Sequence, residues 1–235
     1  MAALVLLVTA LTTISGASTL SQVKLTEPPG RGNIVLLSQT ERGAPTCSGT
    51  LFAREYIVTS AQCVKNAEWA TIDGTPVQII EKTTHPSYDA TQLAYDVAVL
   101  GLRKPTKQRP FPKFGFEFIE PGTMVTSLRN GTHPLSSAAK VQPIADCDNT
   151  NSFSSANQNN TMCVADATIC FGDAGSPLIA LKDDHEVLVG ISSWTRTMCS
   201  PSISAYARLS AARDFLEVYL EPRRTPPPNS HRVPY

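Results

Sequence analysis

Six cysteines, at positions 47, 63, 147, 163, 170 and 199, set the tightest bound on how this chain can fold. Their count is even, and they follow a short apolar block, AALVLLVTA over residues 2–10, that runs into Ser15, Gly16, Ala17 and Ser18. An apolar stretch of this length ending in small residues reads as a secretory signal peptide, here 1–18, with a buried N-terminal strand as the other reading. Paired cysteines behind a signal peptide imply disulfides made in an oxidising compartment, and six of them leave on the order of 15 connectivities open. Metal binding is the competing use of cysteine. It would need a CxxC pair or a close Cys/His cluster, whereas the four histidines (85, 133, 185 and 231) are scattered. We expect no metal and no cofactor.

The 20 Lys+Arg balance the 20 Asp+Glu, which argues against the basic excess of a nucleic-acid binder and against a polybasic membrane anchor. No apolar run reaches the roughly 18 residues of a membrane span. Short apolar runs recur instead, among them NIVLLS (33–38), YIVTS (56–60), TPVQII (75–80), DVAVLGL (96–102), TMVTSL (123–128), PLIAL (177–181) and EVLVGISSW (186–194). Turn-rich segments separate them, a pattern that predicts an all-β sandwich or barrel. One segment differs. Leu209 and the SAARDFLEVYLEP that follows it place Leu209, Phe215, Leu216, Val218, Tyr219 and Leu220 near helical spacing, with Ser210 placed to cap the helix and Pro222 to stop it. A C-terminal docking helix is expected there. The tail 222–235 is Pro-rich and reads as a solvated tether, its Arg223, Arg224 and Arg232 included. Asn130 and Asn159 each open an N-x-[ST] sequon in a polar segment and are candidate glycosylation sites.

Four landmarks then occur in order. Cys47-Ser-Gly-Thr-Leu leads to Tyr56-Ile-Val-Thr-Ser-Ala-Gln-Cys63; Tyr95 precedes Asp96-Val-Ala-Val-Leu-Gly-Leu; Cys170-Phe-Gly-Asp-Ala-Gly-Ser-Pro177 follows; Ile191-Ser-Ser-Trp194 comes last. Together they resemble the histidine, aspartate and nucleophile segments and the cleft strand of trypsin-like serine proteases. The resemblance implies one domain over 19–221, a double six-stranded antiparallel β-barrel with a C-terminal α-helix. It also implies the disulfides Cys47–Cys63, Cys147–Cys163 and Cys170–Cys199.

That chemistry needs a serine hydroxyl, an imidazole to take its proton and a carboxylate to orient the imidazole. The histidine position here holds Gln62, an amide with no basic lone pair. The serine position holds Ala174, a methyl group, so of the three only Asp96 remains. Ser176, Ser60 and Cys63 are near these positions, but none combines a free nucleophile with a base. The pocket departs too. Thr168 stands where the residue setting charge at the pocket base is expected, Thr195 follows Trp194 where a glycine is usual, and Ser204 falls near a second pocket glycine. Trp69 and Trp194 read as barrel residues. Asp173 is retained although no Ile-Val-Gly-Gly-like new N-terminus precedes Cys47, so its partner is open and a buried unpaired carboxylate would be costly.

The resulting expectation is a secreted pseudoprotease, not an enzyme, acting by protein binding. The stretches Tyr95-Asp-Val-Ala-Val-Leu-Gly-Leu-Arg-Lys-Pro-Thr-Lys107 and Lys182-Asp-Asp-His-Glu-Val-Leu-Val-Gly-Ile-Ser-Ser-Trp194 are most similar to the oomycete glucanase inhibitor proteins. That family implies an apoplastic virulence effector that inhibits host endo-β-1,3-glucanases. The alternatives are another inactive homologue, such as an immune cofactor or carbohydrate-binding protein, and a residual serine hydrolase.

Overall fold

The structure is a computed structural model that describes residues 31–129, 135–148, 159–195 and 197–220. The signal segment 1–18, Asn130 and the tail 222–235 lie outside the described residues. Six antiparallel strands close the first barrel: β1 (Ile34–Ser38), β2 (Cys47–Leu51), β3 (Tyr56–Thr59), β4 (Trp69–Ile72), β5 (Thr75–Thr84) and β6 (Ala98–Leu102), in the order β1-β2-β3-β6-β5-β4. After the short β7 (Lys113–Phe114) come β8 (Met124–Arg129), β9 (Leu135–Gln142), β10 (Thr161–Thr168), β11 (Pro177–Lys182), β12 (His185–Thr195) and β13 (Pro201–Arg208). Their order is β11-β8-β9-β10-β13-β12, and the β11–β12 pairing closes the second barrel. β7 adds to β12 in parallel as an extra edge. The expected all-β double barrel is therefore present.

Alternation explains why so many strands read as unbroken apolar runs. In a strand, successive side chains face opposite ways. In β6, Leu100 and Leu102 fill the first barrel, while Val99 turns into a cluster shared with the second. In β11, Leu178 and Ala180 fill the second barrel while Ile179 joins that same seam. Strands at the seam are buried on both faces, so neither face is polar. Three disulfides staple the barrels: Cys47–Cys63, Cys147–Cys163 and Cys170–Cys199.

The C-terminal helix is shorter than its periodicity suggests. A 3-10 turn, Leu209–Ala212, leads into an α-helix of only five residues, Arg213–Glu217. Ser210 does not cap it; the α-helical N-cap is Ala212, which has no side-chain oxygen to offer. Leu209, Ala212 and Leu216 sink into the seam; past the helix end Tyr219 still packs against Tyr56 and Phe215, whereas Val218 and Leu220 are exposed.

Candidate functional site

Both barrels contribute to one cleft of about 440 Å³. On one side, β3 runs into a 3-10 helix, Ala61–Asn66, that carries Gln62, and the Cys47–Cys63 disulfide ties this helix to β2. The Gln62 backbone N–H donates to Asp96 Oδ1 at 2.9 Å, and its side-chain Nε2 donates to Asp96 Oδ2 at 2.7 Å and to the Ser193 carbonyl at 2.9 Å. Ser193 Oγ donates to Asp96 Oδ2 at 2.6 Å. Asp96 is fully buried; burial pushes its carboxyl above the ordinary value against the hydrogen bonds from Ser193, Gln62 and Ala61, which pull it down. Gln62 thus bridges the carboxylate and the cleft strand as a double donor, a role that a neutral imidazole, with one N–H, cannot fill.

The opposite wall is the loop from Cys170 to Ser176. Gly172 and Gly175 both have positive φ, 90° and 91°. At Gly175 the need is absolute, since a Cβ would meet the Ser48 carbonyl oxygen at 2.0 Å and Thr59 Oγ1 at 2.2 Å. The loop is tied to the first barrel by Ser48 N–H to the Ala174 carbonyl (2.8 Å) and Ser48 Oγ to the Gly172 carbonyl (2.9 Å). It is tied to the second by Gly175 N–H to the Ser192 carbonyl (2.8 Å) and Ser192 Oγ to the Asp173 carbonyl (2.5 Å). These ties place Ala174 in the lining of the same cleft as Gln62. One contributes a methyl and the other an amide, and neither is a nucleophile or a base.

A family profile described as Trypsin matches residues 26–216. The chain belongs to the trypsin family. It is 29% identical over 212 residues to glucanase inhibitor protein 3 of Phytophthora sojae (strain P6497), covering 77% of this chain and 80% of that relative. Glucanase inhibitor protein 1 of Phytophthora sojae is 25% identical over 210 residues, with the same shares covered. Among solved structures, kallikrein-related peptidase 10 superposes with a TM-score of 0.67 at 20% identity, over 81% of this chain and 96% of that one. That likeness concerns the trypsin-family fold.

The other residues singled out from the trypsin-family pattern separate into two groups. Trp194 and Thr195 line the cleft, together with Phe171 and Met198 at its rim. β12 and β13 pair Thr195 directly with Ser204, and Ser204 Oγ donates to Thr195 Oγ1 at 2.9 Å, with Ser202 Oγ 3.0 Å from the same hydroxyl. Thr195 and Ser204 are buried, and of the three hydroxyl residues only Thr195 is in the cleft lining. Thr168, at the end of β10, lies outside the cleft lining. So do Ser176, whose hydroxyl is buried without a hydrogen-bond partner, and Ser60, whose hydroxyl lies 3.2 Å from Cys63 Sγ. Asn159 is exposed in a turn.

Arg129 is the residue that sequence reasoning missed. Asp173 is 3% exposed; its Oδ2 accepts the Cys170 N–H at 2.8 Å and lies 4.0 Å from Arg129 Nη1, which also donates to Cys170 Sγ at 2.8 Å. Burial pushes the Asp173 carboxyl up, while the Cys170 N–H and the guanidinium pull it down. At the end of β8, beside a sequon, Arg129 reads as an ordinary solvated cation, and nothing local links it to a carboxylate on another loop. Among the described residues no three His, Cys, Asp or Glu side chains converge to hold a metal ion, and no helix is long and apolar enough to cross a membrane.

Proposed function

We propose that the chain is a secreted, non-catalytic trypsin-family protein that inhibits a host endo-β-1,3-glucanase by binding it, and so suppresses glucan-triggered plant defence. One observation carries the non-catalytic part: Ala174 lines the same cleft as Gln62, whose two amide hydrogens are committed to Asp96 and the Ser193 carbonyl. Neither of these two side chains can attack a carbonyl or accept its proton. Losing nucleophile or base alone costs on the order of 10⁶-fold in such sites. The target is supported by alignment over most of the chain with relatives named as glucanase inhibitors. The reading includes removal of residues 1–18, a single domain over 19–221, a Pro-rich tail over 222–235, and glycan on Asn130 and Asn159.

Two rigid barrels presenting loops suit recognition without turnover. An inhibitory interface of roughly 1,200–2,000 Å² in total covers a polysaccharide cleft with no covalent step. Inhibition is then stoichiometric, reversible and indifferent to Ala174→Ser. The test titrates laminarin hydrolysis by a panel of plant endo-β-1,3-glucanases with the purified protein, alongside co-precipitation and labelling with a serine-directed phosphonate. Full glucanase activity across the panel without co-precipitation ends the inhibitor reading, and robust phosphonate labelling ends the non-catalytic one.

A further inference from the structure

We propose that the interbarrel cleft is itself a binding site for a short, neutral oligosaccharide, independently of any glucanase partner. The chemistry of its walls selects the ligand class. None of the described lining residues is ionisable, because Cys47 and Cys170 are disulfide-bonded and Asp96 is fully buried behind Gln62. A charged ligand meets no counter-charge among them. At the rim stand Phe171, 79% exposed, and Met198, 57% exposed, each adjacent in sequence to one half of the Cys170–Cys199 disulfide, which holds both in place. Trp194 forms part of the wall behind them. Aromatic faces carry partial negative charge and attract the C–H faces of a pyranose ring.

The polar groups fit the same ligand. Both Nε2 hydrogens of Gln62 are committed, so the amide orientation is set and its carbonyl oxygen remains as acceptor. Asn66 adds an exposed amide. Aromatic faces beside convergent amides match a sugar, whose hydroxyls both donate and accept.

An extended peptide fits less well. The Ser193 carbonyl already accepts a hydrogen bond from Gln62, and the Thr195 hydroxyl in the lining is engaged by Ser204 and Ser202. The cleft, at about 440 Å³, is within the range of small-ligand sites.

The test uses the full purified chain, calorimetry and tryptophan fluorescence, with three probes: a β-1,3-linked glucose pentamer, a β-1,4-linked glucose pentamer and an uncharged, end-capped pentapeptide. At least one sugar should bind saturably with a change in tryptophan emission. Phe171→Ala should weaken it about fivefold or more, the loss expected for one stacking aromatic. Asn66→Ala should weaken it as well, and both sites are exposed enough to leave the melting temperature unchanged. No sugar binding up to about 10 mM overturns the proposal. So does binding of the peptide alone, or sugar binding that neither variant alters. Because no glucanase is present, these outcomes are independent of the inhibition assay.

Discussion

Replacing Arg129 with leucine removes the cation beside Asp173 and tests whether that pair holds the cleft loop. At the observed 4.0 Å, two unit charges attract by about 4 kcal/mol at an effective dielectric of 20. A second route bounds the cost. Rather than remain charged and unpaired, Asp173 can take up a proton, and from an unfolded pKa near 3.9 this costs at most about 5 kcal/mol at pH 7.5. With Arg129 still 20% exposed and partly screened by water, a loss of about 2–4 kcal/mol is expected. That leaves the domain folded if its stability is typical.

The pH dependence identifies the cause. Burial raises the folded pKa of Asp173, so its proton is held more tightly in the folded chain than in the unfolded one. Its contribution to stability is therefore fullest below the unfolded pKa and declines as pH rises through the folded pKa. Loss of Arg129 raises the folded pKa further and leaves the unfolded one unchanged. The gap between wild type and variant should then open only above the wild-type folded value, widening by up to about 1.4 kcal/mol per pH unit until Asp173 ionises in both. Urea unfolding between pH 4 and pH 8 measures this. Arg129→Leu in an Asp173→Asn background should show a gap independent of pH. An Arg129→Leu midpoint equal to wild type at pH 8, or an equal loss at pH 4 and pH 8, would refute the assignment of Arg129 as the counter-charge.

Three further outcomes follow from the same geometry. Gly175→Ala places a Cβ 2.0 Å from the Ser48 carbonyl oxygen at a φ of 91°, and should cost at least about 1–3 kcal/mol in urea unfolding. Restoring Gln62→His and Ala174→Ser together should still give ester and peptide turnover far below that of an active protease, because Thr195, held by Ser204, stands in the cleft lining; brisk turnover of a chromogenic peptide would show that Thr195 does not obstruct the cleft. Replacing Cys147 and Cys163 by alanine opens a loop spanning 16 residues and should lower stability by about 3 kcal/mol, seen as a shift in the thermal midpoint under non-reducing conditions.

Some of this was written plainly along the chain. Strands buried on two faces are mostly apolar, so the buried stretches of β6 and β11 announced themselves as apolar runs. The identities Gln62 and Ala174 likewise need no coordinates: an amide and a methyl are poor acid–base and nucleophilic groups in any fold. The C-terminal helix was legible in existence but not in length, since periodicity records which residues are apolar and not how much surface is available to cover them. Only tertiary structure decided the rest. That Gln62 donates to both Asp96 and Ser193 depends on segments far apart in sequence meeting at the seam. That Thr195 and Ser204 bond to each other depends on the β12–β13 register, which sequence spacing does not specify. That Arg129 answers Asp173 depends on β8 ending beside the Cys170–Ser176 loop. Local pattern reports the state of one residue's surroundings, whereas a hydrogen bond or ion pair belongs to two residues, and only the folded chain brings the second to the first.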